Sequence, residues 1–285
     1  MVSHARPPRD RRGVALVFVL MVLVMLGLAI GELVARARAE SRMVATIKSR
    51  AVAQYAAESG ILTTSAALQT ILDSAREPAA LAARTRHLDT LGRPPADLAI
   101  SGAQFAVAVL DLNARLDLAK TDSLTLRALF TEFVPPERAS HIVAALRQTP
   151  VTRFGELARI PDVGDTLALA VAPYVTVASD GFVNVNSAPE AVLAALPGVG
   201  PAKAHAFVAR RDAGEIFKSV DPFRPTPGSQ GVVPVEGVLL TIAPTRLMIV
   251  SRGWQQGSPL THEIQAVYLA LAGTLTLQSW EERDR

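Results

Sequence analysis

Cysteine is missing from all 285 residues. That excludes disulfides and thiolate metal sites, while an oxidising compartment stays open, since exported proteins need no disulfide. No proline occurs between Pro8 and Pro78, so no pyrrolidine ring interrupts a helix in that stretch. No charged residue occurs from Val14 to Gly31. Catalytic signatures are lacking too: there is no Walker loop, GxGxxG, GxSxG or HExxH. His87, His141, His205 and His262 each stand alone, without metal-ligand spacing. The body of the chain also has no net charge. Residues 1–13 carry Arg6, Arg9, Arg11 and Arg12 against Asp10, which accounts for the whole formal excess of +3. Bulk charge therefore gives no support to polyanion binding by residues 14–285.

What is present begins with VALVFVLMVLVMLGLAIG, eighteen uncharged residues from Val14 to Gly31. As a helix this run is roughly 27 Å long, close to the hydrocarbon thickness of a bilayer. Arginines flank it on both sides, but a short basic tail ahead of a first span keeps that tail cytoplasmic. A plain signal anchor fits these features. A cleaved secretory signal fits less well, because the only small-x-small site, Ala35-Arg36-Ala37, is studded with arginine. A third reading starts from Arg11-Arg12-Gly13 set directly before the apolar run. This junction resembles the signal of type IV pilins and pseudopilins, in which a membrane peptidase cuts after the glycine. The resemblance implies cleavage between Gly13 and Val14 and methylation of the freed Val14 amine. Phe18 then holds the fifth mature position, where major pilins carry a glutamate that pairs with a neighbour's N-terminal ammonium. A buried charge without a partner is costly, so a subunit lacking the acid suits the fibre tip.

Residues 32–75 are rich in strong helix formers, and a continuous helix is expected over 14–75. Met43, Ile47, Tyr55, Leu62, Leu68, Ile71 and Leu72 form a loose apolar stripe. From Tyr55 onward it is expected to pack on the chain's own globular part, and 14–50 on other subunits. Residues 76–97 read as a loop with one short helical turn. Gln104–Leu110 alternates as a strand, and Asp111–Leu118 as a second strand after a turn at Asn113–Ala114. Helical spacing covers 122–147 with a break at Pro135-Pro136, and Thr152 is the expected N-cap of a helical segment over 152–175. Arg246–Ser251, Leu260–Ala272 and Thr274–Trp280 read as strands separated by turns at Gly253, Gly257 and Gly273. Strands early and late with helices between them imply a sheet interrupted by an inserted helical domain.

The sharpest local motif runs from Val192 to Arg211 and matches a helix–hairpin–helix, with its turn at Pro197, Gly198, Val199 and Gly200. Glycines allow the tight hairpin, and Leu193, Leu196, Val199, Ala204 and Val208 are expected to pack its helices together. In DNA-binding versions the backbone N–H groups hold a phosphate and Lys203 would assist. Ile160-Pro161-Asp162-Val163-Gly164 echoes the motif, suggesting a duplicated unit. Scaffolding is the plainer role for both hairpins, with Lys203 and Arg210 as solvated charges. A membrane-tethered DNA-binding protein of the uptake type is the alternative.

Taken whole, the chain resembles the GspK family, the large minor pseudopilins of type II secretion systems. The features that carry the likeness are Arg12-Gly13-Val14-Ala15-Leu16 without an acid at Phe18, Asp111-Leu-Asn-Ala-Arg-Leu-Asp-Leu118, Phe154-Gly-Glu-Leu157 and Ala172-Pro-Tyr-Val-Thr176. Gly181-Phe-Val-Asn-Val-Asn-Ser-Ala-Pro189, the 196–200 hairpin and the closing strand with Trp280 complete it. The family implies an α+β fold, with a long N-terminal pilin helix packed on an antiparallel sheet and an inserted all-helical domain. The corresponding divisions are a leader over 1–13, the helix over 14–75, pilin-like parts over 76–118 and 219–285, and the insert over 119–218. It also implies a non-enzymatic subunit at the tip of the periplasmic pseudopilus, anchored in the bacterial inner membrane. Its partners would be GspI- and GspJ-like minor pseudopilins, a GspG-like major pseudopilin and the prepilin peptidase. Calcium is associated with globular domains of this family. Asp162, Asp165, Asp180, Asp212, Glu215 and Asp221 are the loop acids available, without EF-hand spacing.

Overall fold

The computed structural model describes residues 11–75, 77–85, 88, 102–224 and 239–284, with side chains from residue 16 onward. Helix α1 runs from Arg11 to Ser74. The chain divides into two units, the first ending at Ala51 and the second starting at Val52. In the first, the large apolar side chains from Leu16 to Val34 are exposed, followed by Met43, Val44 and Ile47. This part of the helix is long and apolar enough to cross a membrane.

In the second unit, the last turns of α1 lie on a four-stranded antiparallel sheet. The strands are β1 (Ala103–Asp111), β6 (Arg246–Gln255), β7 (Thr261–Leu271) and β8 (Thr274–Asp284), in the spatial order β1-β6-β7-β8. Ala57, Ile61, Leu68 and Leu72 of the helix pack with Val109, Leu247, Ile249, Ile264, Ala266 and Tyr268 of the sheet. Two glycines set how closely they approach. A Cβ at Gly253 would lie 2.1 Å from Ala53 O and 2.4 Å from Ala57 N, and one at Gly60 would lie 2.2 Å from Ser251 Oγ. Gly253 is thus a strand residue where helix backbone meets sheet backbone, and not the turn its glycine suggested. Gly257 and Gly273, with φ of 81° and 80°, do occupy turns.

The inward stripe of α1 is Ala53, Ala57, Ile61, Thr64, Leu68 and Leu72. Tyr55 and Leu62, expected to pack inward, are 69% and 66% exposed. They sit seven residues apart on another face, whereas small residues occupy the face that touches the sheet. Gln69 ties α1 to the β7–β8 turn, donating to Gly273 O at 2.9 Å and accepting from Leu275 N at 2.9 Å.

Between β1 and β6 the chain leaves the sheet. Helix α2 (Pro78–Arg84) precedes this excursion. The excursion contains α3 (Ser123–Thr131), α4 (Pro136–Gln148), a 3-10 segment (Phe154–Arg159), α5 (Gly164–Val171), α6 (Glu190–Ala195) and α7 (Gly200–Asp212). Asp122 caps α3 by accepting from Leu124 N and Thr125 N. Proline at the first position starts α4. Two short parallel strand pairs accompany these helices: β2 (Leu116–Asp117) with β3 (Val175–Thr176), and β4 (Phe182–Asn184) with β5 (Leu239–Thr241). The strand expected over 111–118 is therefore only two residues long. It follows a 3-10 turn at Leu112–Ala114 and pairs with Val175–Thr176 instead of β1. The insert has its own core, separate from that under α1, built on residues such as Leu126, Phe130, Ile142, Leu157, Val171, Leu193 and Phe223. Thr152 does not act as an N-cap acceptor. Its N–H and hydroxyl, with the N–H of Arg153, point to the Glu156 carboxylate. These donors hold the Glu156 pKa below the ordinary carboxylate value.

Candidate functional site

Gly13 and Val14 lie in the opening turns of α1, and Phe18 follows on it with 67% exposure. Most of the proposed leader, residues 1–10, lies outside the described residues.

The most constrained polar site is where the insert joins the sheet. Asn113, fully buried, is its centre. Its side-chain oxygen accepts from Thr245 N at 2.8 Å and Arg246 N at 2.7 Å. Its amide nitrogen donates to Asp180 Oδ1 at 2.7 Å and Phe182 O at 3.1 Å. One amide thus fastens the start of the excursion to its end, 132 residues on, and to its middle. Asp111, the last residue of β1, accepts from Asn113 N at 2.8 Å, Asn184 Nδ2 at 2.7 Å and the Ser187 hydroxyl at 2.5 Å. Desolvation raises its pKa, those three hydrogen bonds oppose the rise, and the charge of Asp180 adds to it. Asp180 also accepts from Thr245 Oγ1 at 2.6 Å.

A second clamp lies alongside. Buried Asp117 accepts from Ala119 N and Lys120 N, both at 3.0 Å, and from Ser179 N at 3.2 Å. Lys120 Nζ donates to Ser179 O. Asn186 bridges to Phe217 N and O and to Ile242 O. The motifs Asp111–Leu118 and Gly181–Pro189 stand out in the sequence without any role attached. Their Asp and Asn residues are Asx-type turn formers, and that signal gave local turns but not their pairing across the chain.

The two hairpins of the insert share one backbone conformation. Leu196 N and Val199 N donate to Leu193 O and Leu196 O, both at 3.1 Å; Ile160 N and Val163 N donate to Leu157 O and Ile160 O at the same distance. Gly198 and Gly200 have φ of 79° and 70°, against 65° and 70° for Asp162 and Gly164. Leu193, Leu196, Val199 and Ala204 are buried as expected, Val208 packs half-buried against the same core, and Phe207, which the sequence reading left out, is buried beside them. Phe207 meets Phe217 edge-on and Phe223 at a tilt, with ring centroids 5.6 Å and 4.2 Å away. After Pro197 and the turn, Lys203 Nζ folds back to donate to Gly198 O at 3.1 Å. Arg210 pairs with Glu215, raising its own pKa and lowering that of the acid. Arg211 donates to Val185 O and Ala188 O. These cations of α7 are turned onto the chain itself.

Calcium needs converging oxygen ligands, and the loop acids do not converge. Among the described residues no group of three or more His, Asp or Glu side chains is placed to hold a metal ion. Asp180 is committed to Asn113 and Thr245, Glu215 to Arg210, and Asp221 to Ser219. The described residues do not fit a calcium cage.

Residues 183–242 match the family model described as type II secretion system protein K. No curated protein matches the chain. Among solved structures, a chain of the GspK–GspI–GspJ complex from the type 2 secretion system of enterotoxigenic Escherichia coli has a similar fold. The TM-score is 0.61 at 14% identity, over 87% of this chain and 100% of that one. The chain is thus similar to type II secretion system protein K over residues 183–242, and it shares the fold of a GspK-complex chain along most of its length.

Proposed function

We propose that the chain is a minor pseudopilin of the GspK family, which starts assembly of the pseudopilus at the inner membrane and then caps its tip, with its globular part in the periplasm. The observation that carries this reading is the insert's attachment. A lobe with its own core is fastened to the pilin-like sheet by Asn113, Asp111 and Asp180. A lobe so held would obstruct a further subunit above it, and Phe18 offers no carboxylate to that subunit's N-terminus. Maturation would cut between Gly13 and Val14 and methylate Val14. The exposed apolar run of α1 would then pass from the bilayer into contact with neighbouring helices. GspI- and GspJ-like subunits would be direct partners, as in the complex whose chain this fold resembles, with a GspG-like major pseudopilin below.

The test is expression of the full chain with its prepilin peptidase and its GspI- and GspJ-like neighbours. The wild type should lose its first thirteen residues and co-purify with both neighbours, while Gly13→Ala stays unprocessed. If Gly13→Ala is still trimmed at that position, the maturation site is wrong. Processed wild type that captures neither neighbour removes the capping role.

A further inference from the structure

Several cations of the insert end on main-chain oxygens, and Arg147, in the last turn of α4, is the fullest case. Its guanidinium donates to Ala119 O at 2.9 Å, to Leu118 O at 3.5 Å and to Thr121 O, while its Nε donates to Ser123 Oγ at 3.1 Å. Three carbonyls and a hydroxyl from the 118–123 turn thus converge on one positive group. Asp117 prepares the turn for this. Its buried carboxylate accepts from Ala119 N and Lys120 N, which leaves the carbonyls of the turn facing Arg147. The same device recurs across the insert. Lys120 Nζ donates to Ser179 O, Arg138 Nε to Asp162 O at 2.8 Å, and Lys203 Nζ to Gly198 O at 3.1 Å. Arg211 donates to Val185 O at 3.1 Å and to Ala188 O at 2.7 Å.

Oxygens that converge at a turn are what a hard divalent cation takes, but calcium gathers about six to eight of them, with carboxylates in the set. The oxygens of the 118–123 turn that meet Arg147 are all neutral, and the nearby Asp117 carboxylate is spent on N–H groups. A planar guanidinium suits such a set, because its donors fan out in a fixed plane and reach several acceptors at once. Its charge is permanent, and hydrogen bonds from a charged donor are stronger than those between neutral groups.

We propose that Arg147 is the resident cation of the insert, gathering the 118–123 turn as a bound divalent ion would, so that this chain keeps its insert folded without calcium. The other cations do the same work at single turns, Lys203 at the 196–200 hairpin and Arg138 at the 160–164 hairpin. This departs from the calcium that the GspK likeness implies. The inference rests on that likeness only for the expectation of calcium, and the hydrogen bonds of Arg147 hold whether or not the chain caps a pseudopilus.

The test is thermal unfolding of the full chain in detergent, once with a chelator and once with calcium chloride in excess. Wild type should melt at the same temperature in both, within about 1–2 °C. A saturated calcium site would raise Tm by roughly 5–10 °C, and any calcium-dependent rise beyond about 2 °C overturns the proposal. Arg147→Gln should lower Tm by roughly 3–6 °C in either buffer. Arg127→Gln, which removes an exposed cation of α3, should melt with the wild type. If Arg147→Gln melts with Arg127→Gln, the proposal is overturned as well. Should Arg147→Gln not fold, Arg147→Lys, which restores a cation, should fold and melt alike in both buffers. A lysine variant that also fails to fold, or that folds only with calcium, overturns the proposal.

Discussion

Replacing Gly253 with alanine tests the close contact between α1 and the sheet. The added Cβ would sit 2.1 Å from Ala53 O, 2.4 Å from Ala57 N and 2.9 Å from Ala56 Cβ. Two of these three are backbone atoms of a helix that cannot yield by rotating a side chain. Overpacking a core costs about 1–3 kcal/mol, and a backbone obstruction should reach the top of that range, about 3 kcal/mol. For a folded unit of this size, each kcal/mol lowers Tm by about 2–4 °C, so a drop of roughly 6–12 °C is expected. Gly60→Ala should cost less, because its obstructions are side-chain atoms of Ser251, Phe105 and Val107 that can partly move. Gly155→Ala, where a Cβ meets nothing within 4 Å, should melt within about 1–2 °C of wild type. The assay is thermal unfolding of the full chain in detergent, followed by circular dichroism. If Gly253→Ala melts as Gly155→Ala does, the backbone-to-backbone packing is refuted.

Asn113→Ala leaves the N–H groups of Thr245 and Arg246 without their acceptor. At about 1–3 kcal/mol for each buried unpaired group, a loss of roughly 3–5 kcal/mol is expected in denaturant unfolding, and a cost below about 1 kcal/mol would deny Asn113 its central place. Lys203→Glu removes an exposed ammonium that only folds back on Gly198 O, so stability should change by less than about 0.5 kcal/mol. Neither it nor the wild type should shift DNA at low salt. A salt-dependent shift abolished by this substitution would favour nucleic-acid binding. Glu156 titrates below the ordinary carboxylate value, so its stabilising effect is present at neutral pH and lost as acid carries it through that depressed value. Glu156→Gln should flatten the acid limb of the melting profile, and an unchanged limb would assign that loss to other groups.

Much of this architecture is legible in the residues because the signals are local. The missing proline and charge mark α1, the alternation at 104–110 marks β1, and Pro135-Pro136 separates α3 from α4. Other features depend on partners distant in the chain. Gly253 looks like a turn because glycine breaks strands, and only the helix backbone above it explains its presence within one. Tyr55 and Leu62 look inward because they are apolar, yet Ala53, Ala57 and Gly60 take that face by being small. Asn113 looks like a hairpin turn, since nothing nearby reveals that its acceptors and donors lie 67 to 133 residues away.

Because Asn113 and Thr245 stand one hydrogen bond apart, the sheet has no means of sensing how much polypeptide loops out between them. A short peptide bridging those two positions could keep β1 and β6 in register, but it would strip Asn113 and Asp111 of Asp180, Phe182, Asn184 and Ser187. The lobe can therefore lengthen or shorten away from this joint, so long as the 180–187 loop still returns to it.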